Sequence, residues 1–190
     1  MGKTLIVGIS GSSGSILGIK LLEFLWSANF ETHLIISSPA ESIIPYETEY
    51  EIADVKKLAT KVYDNQDFFT PVASGSFKTD AMIIIPCSMK TLAGIASGYS
   101  DNLMLRAADV CLKERRKLVL VTRETPLSLI HIKNMERVTQ AGAVVVPPML
   151  SFYSKPKTID DMINYNLGKV LDVLGIENKL YERWTGNIKD

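Results

Sequence analysis

Short, wholly apolar runs punctuate the chain, and small or polar residues follow each one. "TLIVGI" (4–9), "THLIIS" (32–37), "AMIIIP" (81–86), "KLVLVT" (117–122) and "AVVVP" (143–147) are nearly continuous in apolar character rather than alternating. Runs of this kind and length predict strands covered on both faces. Between them, apolar positions recur at helical spacing. Residues 15–28 bring Ile16, Ile19, Leu22 and Phe24–Leu25 near one stripe. "DNLMLRAADVCLKERR" (101–116) opens on Asp101 as a candidate cap and closes on Lys and Arg, the order a helix dipole favours. "PLSLIHIKNMERVTQAG" (126–142) has Pro near its start and Gly at its end, and "TIDDMINYNLGKVLDVLG" (158–175) also ends on Gly. Segments 38–79 and 147–157 keep neither period and are expected to form loops, short helices and at most one further strand. No repeat, low-complexity tract or linker interrupts the alternation. Strand and helix in alternation predict a single α/β domain, a doubly wound parallel sheet with helices on both faces. Ligands on such sheets sit beyond the carboxyl ends of the strands.

Composition narrows the function classes. The 190 residues suit one domain with a sizeable core, and 46% apolar against 22% charged residues is an ordinary globular balance. The formal net charge is zero, 21 Lys+Arg against 21 Asp+Glu. Without a basic surplus, no nucleic-acid partner is expected, and a charge near zero favours self-association. Two cysteines, Cys87 and Cys111, at no metal-ligand spacing point to a reduced, cytoplasmic protein. The start "MGKTLIVGIS" lacks the pattern of a signal peptide, and no run reaches the length of a membrane span, so no membrane partner is expected.

The strand ends collect the candidate chemistry. Gly8, Gly11 and Gly14 fit neither the dinucleotide fingerprint nor the P-loop. Ser10-Gly11-Ser12-Ser13-Gly14 is therefore either a plain turn with a serine helix cap or a loop whose amides and hydroxyls receive an anion. Ser37-Ser38-Pro39 reads as a helix start, and Pro86-Cys87-Ser88-Met89-Lys90-Thr91 as a second hydroxyl-bearing strand-to-helix turn. Cys87 has no partner base in view and reads as a packed residue. Arg123-Glu124 is either a local ion pair or an Arg for a phosphate beside a Glu acid/base. Arg106 and Lys113 lie seven apart on a predicted helix, on one face and roughly 10 Å apart along its axis, and by themselves read as a solvated stripe. His33 and His131, the only histidines, give little support to a metal pair or a nucleophilic triad.

"GISGSSG", "ASGSF", "PCSMKTLAGIASG", "RAADVCLKERRKLVLVTRETPLSLIH" and "PPMLSFY", in this order, resemble the UbiX-type flavin prenyltransferases, whose older names read aromatic acid or 3-octaprenyl-4-hydroxybenzoate decarboxylase. The resemblance runs from the first strand to Trp184. It implies a flavodoxin-like, Rossmann-like three-layer sandwich over residues 1–190, with a C-terminal tail from about residue 176 packing on a neighbouring subunit or on the active site. It implies a homo-oligomer, commonly a dodecamer. The implied activity transfers dimethylallyl from dimethylallyl phosphate to reduced FMN, first at N5 and then at C6, without a metal. The resemblance implies that the prenylated FMN goes to a UbiD-type decarboxylase, as in ubiquinone biosynthesis.

Carried onto this chain, the resemblance puts the FMN contacts at Gly11, Ser12, Ser13, Ser37, Ser88, Met89, Lys90, Thr91 and Arg123. It puts the prenyl-phosphate site at Ser74, Arg106, Lys113, Glu124, Tyr153 and Lys169, and further active-site positions at Ser13, Glu47 and Trp184. Lys169 stands where some members carry Arg, a point charge in place of a bidentate fork. In this reading the cations hold the leaving phosphate, Tyr153 and Trp184 face an allylic cation, and Glu124 or Glu47 takes the proton lost from C6. Two other readings differ in class. One is an FMN-dependent decarboxylase acting on an aromatic acid or a peptidyl-cysteine. The Pro-x-Met-Asn-x-x-Met-Trp segment of the peptidyl-cysteine enzymes is missing here, since Asn134-Met135 runs into Glu136-Arg137. The other is a non-catalytic flavin-binding protein, which would have no use for Lys113, Glu124 and Tyr153.

Overall fold

The computed structural model describes residues 3–186. Six parallel strands form one sheet in the order β3-β2-β1-β4-β5-β6. They are β1 (Thr4–Ile9), β2 (Glu31–Ile36), β3 (Lys61–Asp64), β4 (Ala81–Cys87), β5 (Lys117–Thr122) and β6 (Val144–Val145). The helices are α1 (Ser15–Ser27), α2 (Ser38–Glu47), α3 (Ile52–Lys57), α4 (Met89–Ser97), α5 (Leu103–Lys113), α6 (Leu129–Gln140) and α7 (Ile159–Leu174), with a 3₁₀ turn at Pro71–Ala73.

The apolar runs are continuous because alternate residues enter different cores. Leu5, Val7, Ile9, Ile83, Ile85, Val119 and Val121 pack with α1, α2 and α7. Ile6, Met82, Ile84, Leu118 and Leu120 pack on the opposite face with α4, α5 and α6. Three layers result, as expected for helices on both faces of a parallel sheet. From β1 the chain winds outward through β2 to β3, then returns to β4 on the other side of β1 and winds outward again to β6. The crevice between the carboxyl ends of β1 and β4 is thus the topological switch point, where ligands of such sheets bind. Among the described residues no helix is long and apolar enough to cross a membrane. Cys87 and Cys111 are free and buried.

Several boundaries differ from the sequence expectation, each for a local reason. β2 ends at Ile36, because Ser37, although its N–H still donates to Ile9 O of β1 at 3.0 Å, turns its side chain to cap α2, its Oγ accepting from the Ala40 N–H. Asn102, not Asp101, caps α5: its Oδ1 accepts from Leu105 N at 3.0 Å. α6 begins only at Leu129, where Ser128 and His131 form a reciprocal cap, so Pro126 lies outside it. The irregular stretch 38–79 holds α2, α3, β3 and the 3₁₀ turn. α2 was obscured by its two prolines, Pro39 in the first turn and Pro45 inside. β3, "KVYD", is an edge strand with only Tyr63 partly covered, so no apolar run marks it. The described part of the C-terminal tail folds back on α7 of its own chain, where Asp172 accepts from Asn178, Tyr181 and Arg183. Residues 187–190 of that expected tail lie outside the described residues.

Candidate functional site

A cavity of about 570 Å³ opens at the carboxyl edge of the sheet, over the switch point. Its wall comes from the turn after β1 (Gly11, Ser12, Ser13), the start of α2 (Ser37, Ser38, Pro39), the turn after β3 (Asn65, Gln66) and the start of α4 (Ser88, Met89, Lys90, Thr91). The start of α5 (Asp101, Asn102, Met104, Leu105) and the end of β5 (Arg123, Glu124) complete it.

Buried hydrogen bonds hold these turns together. Ser10, 1% exposed, donates from Oγ to Pro86 O at 2.9 Å and accepts there from Ser88 N at 2.8 Å, so the β1 and β4 turns move as one. Gly11 must be glycine for packing: a Cβ there would lie 2.5 Å from Pro39 Cβ. Gly14 adopts a left-handed φ of 95° to start α1. Ser88 caps α4, accepting from Thr91 N at 3.3 Å, with the Thr91 hydroxyl 3.0 Å from its own. Among the described residues the backbone N–H groups of Gly11, Ser13, Met89 and Lys90 have no acceptor. The buried Ser12 Oγ has no partner either. Lys90 and Arg123 pair with no carboxylate among the described residues. Unused amides at a helix start, hydroxyls and unpaired cations around one crevice make an anion site, and one suited to a nucleotide phosphate. The residues present therefore fit a phosphorylated flavin.

Arg123 and Glu124 share the cavity but do not pair. Arg123 is placed by its N–H on Cys87 O at 3.2 Å, while Glu124 Oε1 accepts from Thr125 N at 3.0 Å. Glu47, the last residue of α2, reaches across to the start of α1. Its Oε2 accepts from Gly14 N at 2.9 Å, from Ser15 N at 3.2 Å and from Ser15 Oγ at 3.1 Å. Burial disfavours its charge, but hydrogen bonds from the Ser13 hydroxyl, the Gly14 and Ser15 amides and the Ser15 hydroxyl outweigh burial and hold the carboxyl below its ordinary range. Glu47 is therefore an ionised cap that fixes the β1 turn.

The other residues singled out from the sequence form two further groups, and none of them lines the cavity. Along α5, Arg106 donates from Nε to Ala73 O at 3.1 Å and from Nη1 to Asp109 at 2.7 Å. Lys113 is bonded to Glu114. Ser74, whose hydroxyl is 2.9 Å from that of Ser76, sits on the adjoining turn, and a Cβ on neighbouring Gly75 would lie 2.8 Å from Lys113 Nζ. The second group is aromatic. Tyr153 donates to Tyr165 at 3.3 Å and packs edge-on to Trp184 at 6.0 Å, while Lys169 Nζ lies 6.0 Å from the Tyr181 ring. The hydrogen bond to Tyr165 pushes the Tyr153 phenol up from its ordinary value. Trp184 is 62% exposed.

Sequence reasoning missed Asn65, Gln66 and the start of α5 as cavity wall. The missing signal was β3. Had "KVYD" been read as a strand, Asn65-Gln66 would have stood at a carboxyl end like the other turns.

Residues 1–173 match the family model described as Flavoprotein. The chain is 51% identical to the flavin prenyltransferase UbiX of Methanocaldococcus jannaschii over 180 residues, 95% of this chain and 97% of that protein. It is similar to a crystal structure of AnUbiX (PadA1) in complex with FMN and dimethylallyl pyrophosphate, with a TM-score of 0.97 and 49% identity, covering 99% of this chain and 100% of that one. It is also similar to a dodecameric FMN-dependent UbiX-like decarboxylase from Escherichia coli O157:H7, with a TM-score of 0.94 and 50% identity, covering 96% and 100% of the two chains.

Proposed function

Because the chain belongs to the flavoprotein family and, within it, to the UbiX-like flavin prenyltransferases, we infer that it transfers a dimethylallyl group from its phosphate to FMN. The observation that carries this reading is the cavity at the switch point, where four unused backbone amides, Ser12 and Arg123 face one space of about 570 Å³. When bound in reduced form, the flavin supplies electron-rich positions at N5 and C6 for the prenyl group.

The chain's own residues do the rest. Gly11, Ser12, Ser13, Ser37 and the Ser88–Thr91 turn hold the flavin phosphate with amides and hydroxyls, and Arg123 adds charge. Glu124, whose carboxylate makes among the described residues one hydrogen bond, from the adjacent Thr125 amide, takes in this reading the proton released when the ring rearomatises. Glu47 is less suited to that task, since its carboxylate is engaged at the start of α1. It positions the turn that carries Ser13.

Arg106, Lys113, Ser74, Tyr153 and Lys169 are assigned to the prenyl phosphate, with Trp184 as a further active-site residue. Held cations and hydroxyls make a phosphate a good leaving group, and the faces of Tyr153 and Trp184 suit a departing allylic cation. These residues occupy two surfaces outside the cavity of one chain. The reading therefore includes a homo-oligomer in which neighbouring copies bring the groups together, a dodecamer as in the E. coli O157:H7 protein. Delivery of the product to a UbiD-type decarboxylase is part of the same proposal. The test is incubation with reduced FMN and dimethylallyl phosphate, followed by mass spectrometry of the released flavin. A flavin heavier by one prenyl unit is expected, and recovery of unmodified FMN only would overturn the assignment.

A further inference from the structure

Glu114, Arg115 and Arg116 join the end of α5 to the start of β5. Arg115 takes a left-handed φ of 56°, where glycine is the ordinary choice. Its N–H bonds to Leu112 O at 3.1 Å and that of Arg116 to Cys111 O at 2.8 Å, the paired bonds of a Schellman helix end. From this ending the Arg116 side chain reaches the turn at residues 74–79. Its Nη2 donates to Gly75 O at 2.6 Å, and its Nη1 to Phe77 O at 2.7 Å and Thr79 Oγ1 at 3.4 Å. Among the described residues no carboxylate pairs with it.

The turn has other anchors to the sheet. Phe77 packs edge-on to the buried His33 ring at 5.0 Å, and Asp80 N bonds to Thr4 O at 2.9 Å. What Arg116 fixes is the direction in which the turn's peptides face. In a planar trans peptide the carbonyl and the next N–H point opposite ways. With Gly75 O drawn to Arg116, the Ser76 N–H faces away and donates to Ser74 Oγ at 3.3 Å. The Ser74 and Ser76 hydroxyls then stand 2.9 Å apart. Lys113 Nζ approaches the same turn, 2.8 Å from where a Cβ on Gly75 would lie, and Arg106 Nε holds its start through Ala73 O at 3.1 Å. A carbonyl oxygen only accepts, so one aimed at a phosphate repels it. Three carbonyls of this turn are occupied by arginines of α5 and its end, and hydroxyls beside a lysine are left to meet an anion.

We propose that Arg116 is a positioning residue for prenyl transfer, orienting the Ser74–Ser76 turn so that donors, and not the carbonyls of Gly75 and Phe77, face the prenyl phosphate. The proposal rests on the assignment of Ser74, Arg106 and Lys113 to that phosphate. Neither Arg116 nor the turn lines the flavin cavity, so the role is separate from FMN binding.

Arg116→Gln tests it, since an uncharged and shorter side chain cannot bridge both carbonyls. Gly75 and Phe77 are half-buried, so water can take over their carbonyls and the fold is retained. Melting, FMN titration and single-turnover transfer at saturating reduced FMN are measured, the last across a range of dimethylallyl phosphate. Melting temperature and FMN affinity are expected to match wild type, with the half-saturating dimethylallyl phosphate raised about ten- to hundredfold. Arg116→Lys should restore part of the loss. Ser74→Ala should raise the same parameter in wild type and add little to Arg116→Gln, because both act through one turn. An unchanged half-saturating concentration, an equal loss of FMN affinity, or full additivity with Ser74→Ala would each overturn the proposal and leave the prenyl-transfer reading standing. A wild-type protein that transfers no prenyl group would overturn that reading and this proposal with it. Should Arg116→Gln melt early, Arg116→Lys decides, and a wild-type dependence on dimethylallyl phosphate in that variant would overturn the proposal.

Discussion

Gly11→Ala is a one-methyl perturbation whose consequence can be worked from the packing of α2. The backbone at Gly11 is not left-handed, so alanine costs no conformational strain. The new Cβ, however, would lie 2.5 Å from Pro39 Cβ and 3.4 Å from Pro39 Cγ. Carbon atoms pack best at about 3.5–4.0 Å, so one side must move by about 1 Å or more. Pro39 is locked in its ring and sits in the first turn of α2, so the helix itself must give. Both ends of α2 serve the site. Ser37 caps its start on the cavity wall, and Glu47 at its end holds the start of α1. Overpacking of this kind costs about 1–3 kcal/mol, which for a chain of this size lowers the melting temperature by about 2–4 °C per kcal/mol. FMN affinity should fall about tenfold or more, because a shift of 1 Å exceeds the tolerance of a hydrogen bond. Adding Pro39→Gly removes the atoms that the methyl meets, so the double variant should regain part of both losses, a coupling read as a double-mutant cycle. Thermal melts and FMN titrations on the four proteins measure it. A Gly11→Ala protein with wild-type melting temperature and FMN affinity would refute the close-packing argument, as would losses in the double variant equal to the sum of the two single ones.

Three further outcomes are expected. Glu124→Gln should keep FMN affinity and lose about 10²–10⁴-fold in single-turnover prenyl transfer; weakened FMN binding with an intact rate would remove Glu124 from the proton transfer. Glu47→Gln should lower stability at neutral pH by about 1 kcal/mol, the value of charge-assisted hydrogen bonds reduced for an exposed carboxylate. Because the folded-state value of Glu47 is depressed, its contribution is fully present above the unfolded carboxylate range and fades as pH falls through the folded value. Melts of both proteins across acid pH should therefore converge, and a gap of constant size would contradict the cap. Prenyl transfer should survive EDTA, because the phosphate charge is assigned to Arg106, Lys113 and Lys169; loss with EDTA and recovery with Mg²⁺ would show that a metal carries it instead.

The covered strands were legible because a parallel sheet buries both faces, so β1, β4 and β5 must be apolar at almost every position. The turns after them were legible for the same reason, since a polar cluster ending such a run marks the ligand edge, but it was the family resemblance that joined Gly11–Ser13, Ser88–Thr91 and Arg123 into one site, and they line one cavity. The FMN contacts and the family rested on those motifs and their order. The edge strand β3 was not legible, since an edge needs few apolar residues. With it went Asn65, whose neighbours on α5 stand 38 and 39 positions later. Nor could the sequence say which charges were already engaged. Arg106 and Lys113 looked alike as a free stripe until Asp109, Ala73 and Glu114 took them up, and Glu47 looked like a candidate base until its carboxylate was found on the amides of Gly14 and Ser15. A residue's type and its place beyond a strand follow from the local pattern. Its partner depends on how separate elements pack, and burial and hydrogen bonding between distant segments decide whether a polar group is free to act.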